Sequence, residues 1–220
     1  VVIDLPYGEG AKVESLHEAR EMAEDFTRVG ANLGMEIDCA ITRGEQPIGR
    51  GIGPVLEARD VLDVLSGDGP ADLRSKSVRL AQILLDAAGV DETASGLVER
   101  GAAESKFREI IDAQNGDPDV SREDLSPGRH QETVYADRDG VVTHVDNKLV
   151  NELARRAGAP KDHGAGVYLH CRARDELTQG DPLLTLYAEK REKLDQAQSF
   201  WAEKAPVRVH ESGEVVIEQW

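Results

Sequence analysis

A chain of 220 residues, 40% of them hydrophobic, is long enough for one large domain or two ordinary ones around a real core. Its 42 acidic side chains against 26 basic ones leave a net charge of −16, a surface that repels phosphate backbones and anionic lipid. Nucleic acid and membrane are therefore not expected as partners. The 8 lysines and 18 arginines are spread among well-patterned elements, so the chain is no disordered acidic tail, and the lysine-poor acidic balance points to a salt-adapted cytoplasm.

The chain does not begin with Met, and its first residue already stands in an apolar run, which reads as a fragment or processed product. Val1 to Leu5 is too short for a signal peptide or a membrane span, giving the expectation of a soluble, cytoplasmic protein. Cys39 and Cys171 lie far apart with no CxxC, so both read as small buried hydrophobes rather than a disulfide or zinc ligands. The histidines show no ligand spacing, and His163 and His170, flanking a glycine-rich strand entry, read as structural. No metal and no cofactor is expected.

In chain order, VVIDL reads as a buried strand, followed by a loop with Gly8, Gly10 and one cation, Lys12. Ser15 and Glu18 then form the Ser-x-x-Glu of a capping box. The stripe Leu16, Ala19, Met22, Ala23, Phe26, Val29 predicts a helix to Gly30 or Gly34, and the alternation from Met35 to Thr42 predicts a second strand. Strand, helix and strand make a right-handed βαβ unit. Gly44 to Pro54 is a loop opening into a helix, Val55 to Leu65. Its glycines and prolines read as packing and N1 geometry, with Arg50 just ahead of the helix N-terminus. Two further helices follow, one through Leu73 to Ala88 and one carrying Phe107, Ile110 and Ile111. Gln114 to Pro118 stops them, and the boundary falls in the apolar-poor segment to His130, giving domains 1–116 and 117–220.

The second half is β-rich. Thr133–Arg138 and Val141–Val145 flank Asp139-Gly140 as a hairpin, a helix runs from Asn147 to Ala157, and Gly166–His170 and Leu183–Tyr187 read as strands. A charged helix from Glu189 to Lys204 precedes a last pair, Val207–His210 and Glu214–Glu218, about Ser212-Gly213. The fold class is thus α/β followed by α+β: a partial parallel-sheet α/β domain with packed helices, then a β-rich domain with short helices.

No Gly-x-Ser-x-Gly, Cys/His dyad or metal-spaced carboxylate set occurs. Lys12 is the one candidate site residue, at the edge where a parallel sheet presents ligand groups. Without a full Gly-x-x-x-x-Gly-Lys-Ser/Thr pattern, its spacing admits two readings, a contact to an anion or a solvated loop residue.

Four stretches together are more specific: IDLPYGEGAKV, TRGEQPIGRGIGPVLEARDVLDVL, KFREIIDAQNGDP and AGAPKDHGAGVYLH. In collinear order, nearly end to end, they resemble the thymidine phosphorylase family, most closely its archaeal AMP phosphorylase branch. The resemblance implies a glycosyltransferase that splits an N-glycosidic bond with inorganic phosphate. AMP, or other nucleoside monophosphates, would give base and ribose 1,5-bisphosphate. Residues 1–116 would be the carboxyl part of the α/β substrate and phosphate domain, and 117–220 the C-terminal α+β domain. The family's phosphate loop, proton-donating Asp and a substrate-contacting Ser lie upstream of this chain. No catalytic residue is carried over, and the chain alone is expected to fold without activity.

One contact does carry over: the family's AMP-binding lysine matches Lys12. Pyrimidine nucleoside members have an apolar residue there, and a buried 5′-phosphate calls for a cation. Implied partners are AMP and inorganic phosphate, with a homo-oligomer, dimer or larger. Three alternatives stand beside this reading. One is a thymidine or pyrimidine nucleoside phosphorylase, and another a carrier domain modified at Lys148, suggested by Gly180-Asp181-Pro182-Leu183. The third is an assembly module using the apolar tail Val215, Val216, Ile217 and Trp220, which reads equally as an ordinary strand.

Overall fold

In the computed structural model of the chain, which describes residues 1–211, strand β1 (Val2–Tyr7) pairs in parallel with β2 (Asp38–Arg43). The register runs from Val2↔Asp38 to Tyr7↔Arg43, and the crossover is helix α1 (Leu16–Asn32). Ser15 Oγ accepts the Glu18 amide at 3.1 Å, while the Glu18 carboxylate accepts the Glu14 amide at 3.2 Å, one residue outside the usual capping-box donor. At the other end Gly34 turns the chain with φ +71°, and the Met35 amide donates to the Gly30 carbonyl at 2.8 Å. That amide closes the last helical turn, so β2 starts at Asp38 rather than at the expected Met35.

The two faces of this pair are held differently. Cys39 points its Sγ at the Ala23 carbonyl of α1, 3.7 Å away. From the other face the Asp4 carboxylate accepts Thr42 Oγ1 and Lys76 Nζ, each at 2.6 Å, Lys76 lying on α3 (Ala71–Ala87). Helix α2 (Pro54–Ser66) starts on its proline, as expected of an N1 residue. The region read as one helix before Gln114 is two, α4 (Ala94–Glu99) and α5 (Ala102–Ala113), parted at Gly101 with φ +75°. A helix as short as α4 is below what periodicity can register.

The chain divides into two compact units: Val1–Gly49 with Ala58–Leu125, and Arg50–Glu57 with the described residues from Ser126 on. In the second unit β3 (Gly51–Ile52), β6 (Gly166–Leu169), β8 (Pro182–Ala188) and β4 (His130–Tyr135) form an antiparallel sheet in that order. A smaller antiparallel sheet has the order β7 (Glu176–Leu177), β5 (Gly140–Val145), β9 (Val207–His210). Helices α6 (Asn147–Ala157) and α7 (Arg191–Lys204) complete a core of fully buried Val142, Val150, Leu153, Leu169, Leu184 and Leu194.

The expected hairpin about Asp139-Gly140 is not formed, because β4 and β5 belong to different sheets. Asp139 instead accepts the Gln179 amide at 2.7 Å. Gly140 is needed for closeness, since a Cβ there would lie 2.2 Å from the His210 carbonyl oxygen of β9. The pair Glu214–Glu218, its turn and the apolar tail from Val215 to Trp220 lie outside the described residues. Among the described residues no helix is long and apolar enough to cross a membrane.

Candidate functional site

Parallel pairing puts the carboxyl ends of β1 and β2 at one edge, and the chain leaves β1 there through Gly8–Lys12. The loop is tight. Ala11 donates to the Gly8 carbonyl and Gly8 to the Val13 carbonyl, both at 3.0 Å, and Tyr7 forms a parallel bridge with Val13. Gly8 has φ +138°, and a Cβ on it would fall 2.5 Å from Glu45 Cγ, so only glycine lets the loop after β2 approach this closely. Val13 is buried and anchors the loop's far end. Lys12, one residue before that anchor, is exposed, and its side chain has no ion-pair partner among the described residues.

At the N-terminus of α1 the Ser15 hydroxyl accepts the Glu18 amide, and the Glu18 carboxylate accepts the Glu14 amide just outside the helix. Besides Lys12 the rim carries Arg43, the last residue of β2, which sequence reading passed over. An arginine closing a strand looks like an ordinary solvated terminator. The signal available was the βαβ pattern itself, which brings the ends of both strands to one edge.

The glycine-proline loop from Gly44 to Pro54 has a packing role at the positions described. Arg50 donates through Nη1 to the carbonyls of Leu169 (3.4 Å) and His170 (2.7 Å), tying β3 to β6. Cβ atoms on Gly51 and Gly53 would lie 2.5 Å from Leu56 backbone and 2.3 Å from the Ala165 oxygen. Near the start of α2, the Glu57 carboxylate accepts the Gly53 amide (2.9 Å), and the His163 carbonyl accepts the Val55 amide (3.2 Å).

Other candidates resolve without chemistry. Cys171 is buried with Sγ toward the Leu183 carbonyl at 3.5 Å, and burial pushes its thiol up to about 11. Cys39 is also a free thiol. Lys148 is the second residue of α6, whose cap Asp146 accepts the Leu149 amide at 2.9 Å; it is not at a hairpin tip. No group of three or more His, Cys, Asp or Glu among the described residues is arranged to hold a metal ion.

Residues 141–206 match the family model of the pyrimidine nucleoside phosphorylase C-terminal domain. The chain is 55% identical over 225 residues to an AMP phosphorylase of Natronomonas pharaonis, covering 100% of this chain and 45% of that protein. It is 43% identical over 216 residues to an AMP phosphorylase of Pyrococcus furiosus (95% of this chain, 43% of the relative). Against an AMP phosphorylase of Methanococcoides burtonii the identity is 43% over 213 residues, with 94% and 42% covered. The chain thus spans less than half the length of these relatives.

Proposed function

We infer, for a chain that belongs to the thymidine phosphorylase family, that the protein it represents is an AMP phosphorylase, a pentosyltransferase. It would cleave AMP, and other nucleoside monophosphates, with inorganic phosphate to give base and ribose 1,5-bisphosphate. The observation that carries the reading is similarity to AMP phosphorylases along the whole chain, joined to an exposed lysine with no described ion-pair partner on a parallel-strand rim. Residues 1–116 would be the carboxyl part of the substrate and phosphate domain, and 117–220 the C-terminal α+β domain. The protein would be a cytoplasmic homo-oligomer adapted to salt.

In such a reaction phosphate attacks the anomeric carbon as the bond to the base loosens and positive charge builds on the sugar. An acid protonates the departing base. On this reading the acid and the phosphate loop lie in the part of the relatives that this chain does not match, so the 220 residues alone do not turn over AMP. Lys12 receives the 5′-phosphate, supplying the charge that a nucleoside-specific enzyme does not need.

The test uses the full-length protein. Lys12→Ala should raise KM for AMP roughly 10- to 100-fold, the size of one charge-assisted contact to phosphate, with a smaller effect on kcat. An unchanged KM removes Lys12 from the site. A pyrimidine nucleoside phosphorylase is the second reading, favoured by the match of residues 141–206, and preference for thymidine or uridine over AMP in the same assay would establish it.

A further inference from the structure

We propose that Arg43 is a second phosphate-binding residue, which with Lys12 grips the anionic group of the substrate from the opposite edge of β1. The inference rests on the reading that Lys12 receives the 5′-phosphate, and adds the residue that sets preference for nucleotide over nucleoside.

One peptide of β1 sets where the two cations stand. The Tyr7 carbonyl accepts the Gly44 amide at 2.8 Å, and the Gly8 amide of the same peptide donates to the Val13 carbonyl at 3.0 Å. In a trans peptide these groups point in opposite directions, so Lys12-Val13 and Arg43-Gly44 flank β1 on its two sides. Each neighbour stands one strand spacing away, which puts the two main-chain segments about 10 Å apart. Two long basic side chains can close that gap around one phosphate.

Strand alternation fixes the side on which Arg43 leaves the sheet. Cys39 points at α1, and side chains alternate along a strand, so Ile41 and Arg43 leave β2 on the same side. That is the side from which α1 rises directly after the lysine loop. Arg43 is exposed, and its side chain has no hydrogen-bond or ion-pair partner among the described residues. Exposed Arg20 and Arg79 in the same unit likewise have no hydrogen-bond or ion-pair partner among the described residues. Arg28, Arg74, Lys76 and Arg108 in the same unit each reach a carboxylate. A guanidinium fork suits a phosphate in a way a single ammonium does not.

The experiment measures binding of AMP and of adenosine to the full-length protein by titration calorimetry, for wild type, Lys12→Ala, Arg43→Ala, Arg43→Lys and the double alanine variant. Arg43→Ala should weaken AMP about tenfold and leave adenosine within about twofold. Arg43→Lys should recover part of the loss, and it keeps the test alive should the alanine variant fail to fold. Because the two cations share one anion, the double variant should lose less than the product of the single losses, or more, but not that product. Arg43→Ala binding AMP like wild type, while Lys12→Ala does not, overturns the role of Arg43 alone. Equal weakening of AMP and adenosine assigns Arg43 a structural role and also overturns it. No effect of either single variant overturns the proposal together with the reading of Lys12.

Discussion

His170 sits where a polar chain crosses the larger sheet of the second unit. Its Nε2 lies 2.8 Å from Thr185 Oγ1, which is 2.9 Å from Thr133 Oγ1, and Tyr168 packs edge-on with ring centroids 5.1 Å apart. Partial desolvation of the ring, on a residue that still keeps an exposed side, followed by the nearby Arg50 guanidinium, holds the imidazole below its ordinary value of 6.5. The folded state therefore resists a proton that the unfolded chain accepts. Stability from this group is fully present above pH 6.5 and is lost as pH falls through the lowered folded value. Thermal unfolding followed from pH 7.5 to 5.5 should show wild type losing more Tm than His170→Gln, which keeps a hydrogen-bonding group without the titration. Parallel profiles for the two proteins would remove His170 from the account. His170 thus sits in a hydrogen-bonded side-chain chain, while the candidate chemistry is left to cations on the first unit.

The short strand β3 depends on two glycines in close opposition. A Cβ on Gly53, where φ is +131°, would lie 2.3 Å from the Ala165 oxygen, and one on Gly166 would lie 2.1 Å from the Ile52 oxygen. Gly53→Ala should cost about 2–4 kcal/mol, combining backbone strain with displacement of main-chain atoms that cannot swing aside. Gly34→Ala is the control: φ is +71° but nothing lies within 4 Å, so strain alone should cost about 1–2 kcal/mol. Urea midpoints for the two variants measure the difference, and equal losses would show that crowding at β3 matters little. The same contacts explain what was legible in the sequence. Helices α1, α3, α6 and α7 carry their own period or caps and were readable, as was the βαβ unit. The pairs β3–β6 and β5–β7 join two-residue strands to distant partners, and nothing local signals them. Asp139-Gly140 misled because glycine was required by the approach of β9, not by a turn. For the candidate site, Lys12 stood out beside its glycines, whereas Arg43 was signalled only by the βαβ pattern, and the register Tyr7↔Arg43 fixes its place at the rim.

Charge acts on the chain as a whole. With 42 acidic side chains against 26 basic ones, many pairings seen, such as Arg28–Asp25, Arg191–Asp195 and Lys106–Glu109, lie between exposed partners and add little individually. The excess of carboxylates has no such outlet and repels itself through solvent, a cost that dissolved ions reduce. Raising KCl from about 0.1 M to about 1 M shortens the screening length from roughly 10 Å to 3 Å, below the spacing of most surface carboxylates. Tm should therefore rise steadily over that range, since the repulsion relieved exceeds the weak surface pairs lost. Chloride is the anion of choice because sulfate would strengthen apolar burial and confuse the cause. A flat or falling Tm would mean that the surface pairs outweigh the repulsion. Salt would also screen the proposed cation pair at the rim, so a chain that needs salt for stability must bind phosphate with more than one weak charge. Two cations on opposite edges of β1 meet that demand, because a shared anion held by both is less easily displaced than one resting on Lys12 alone.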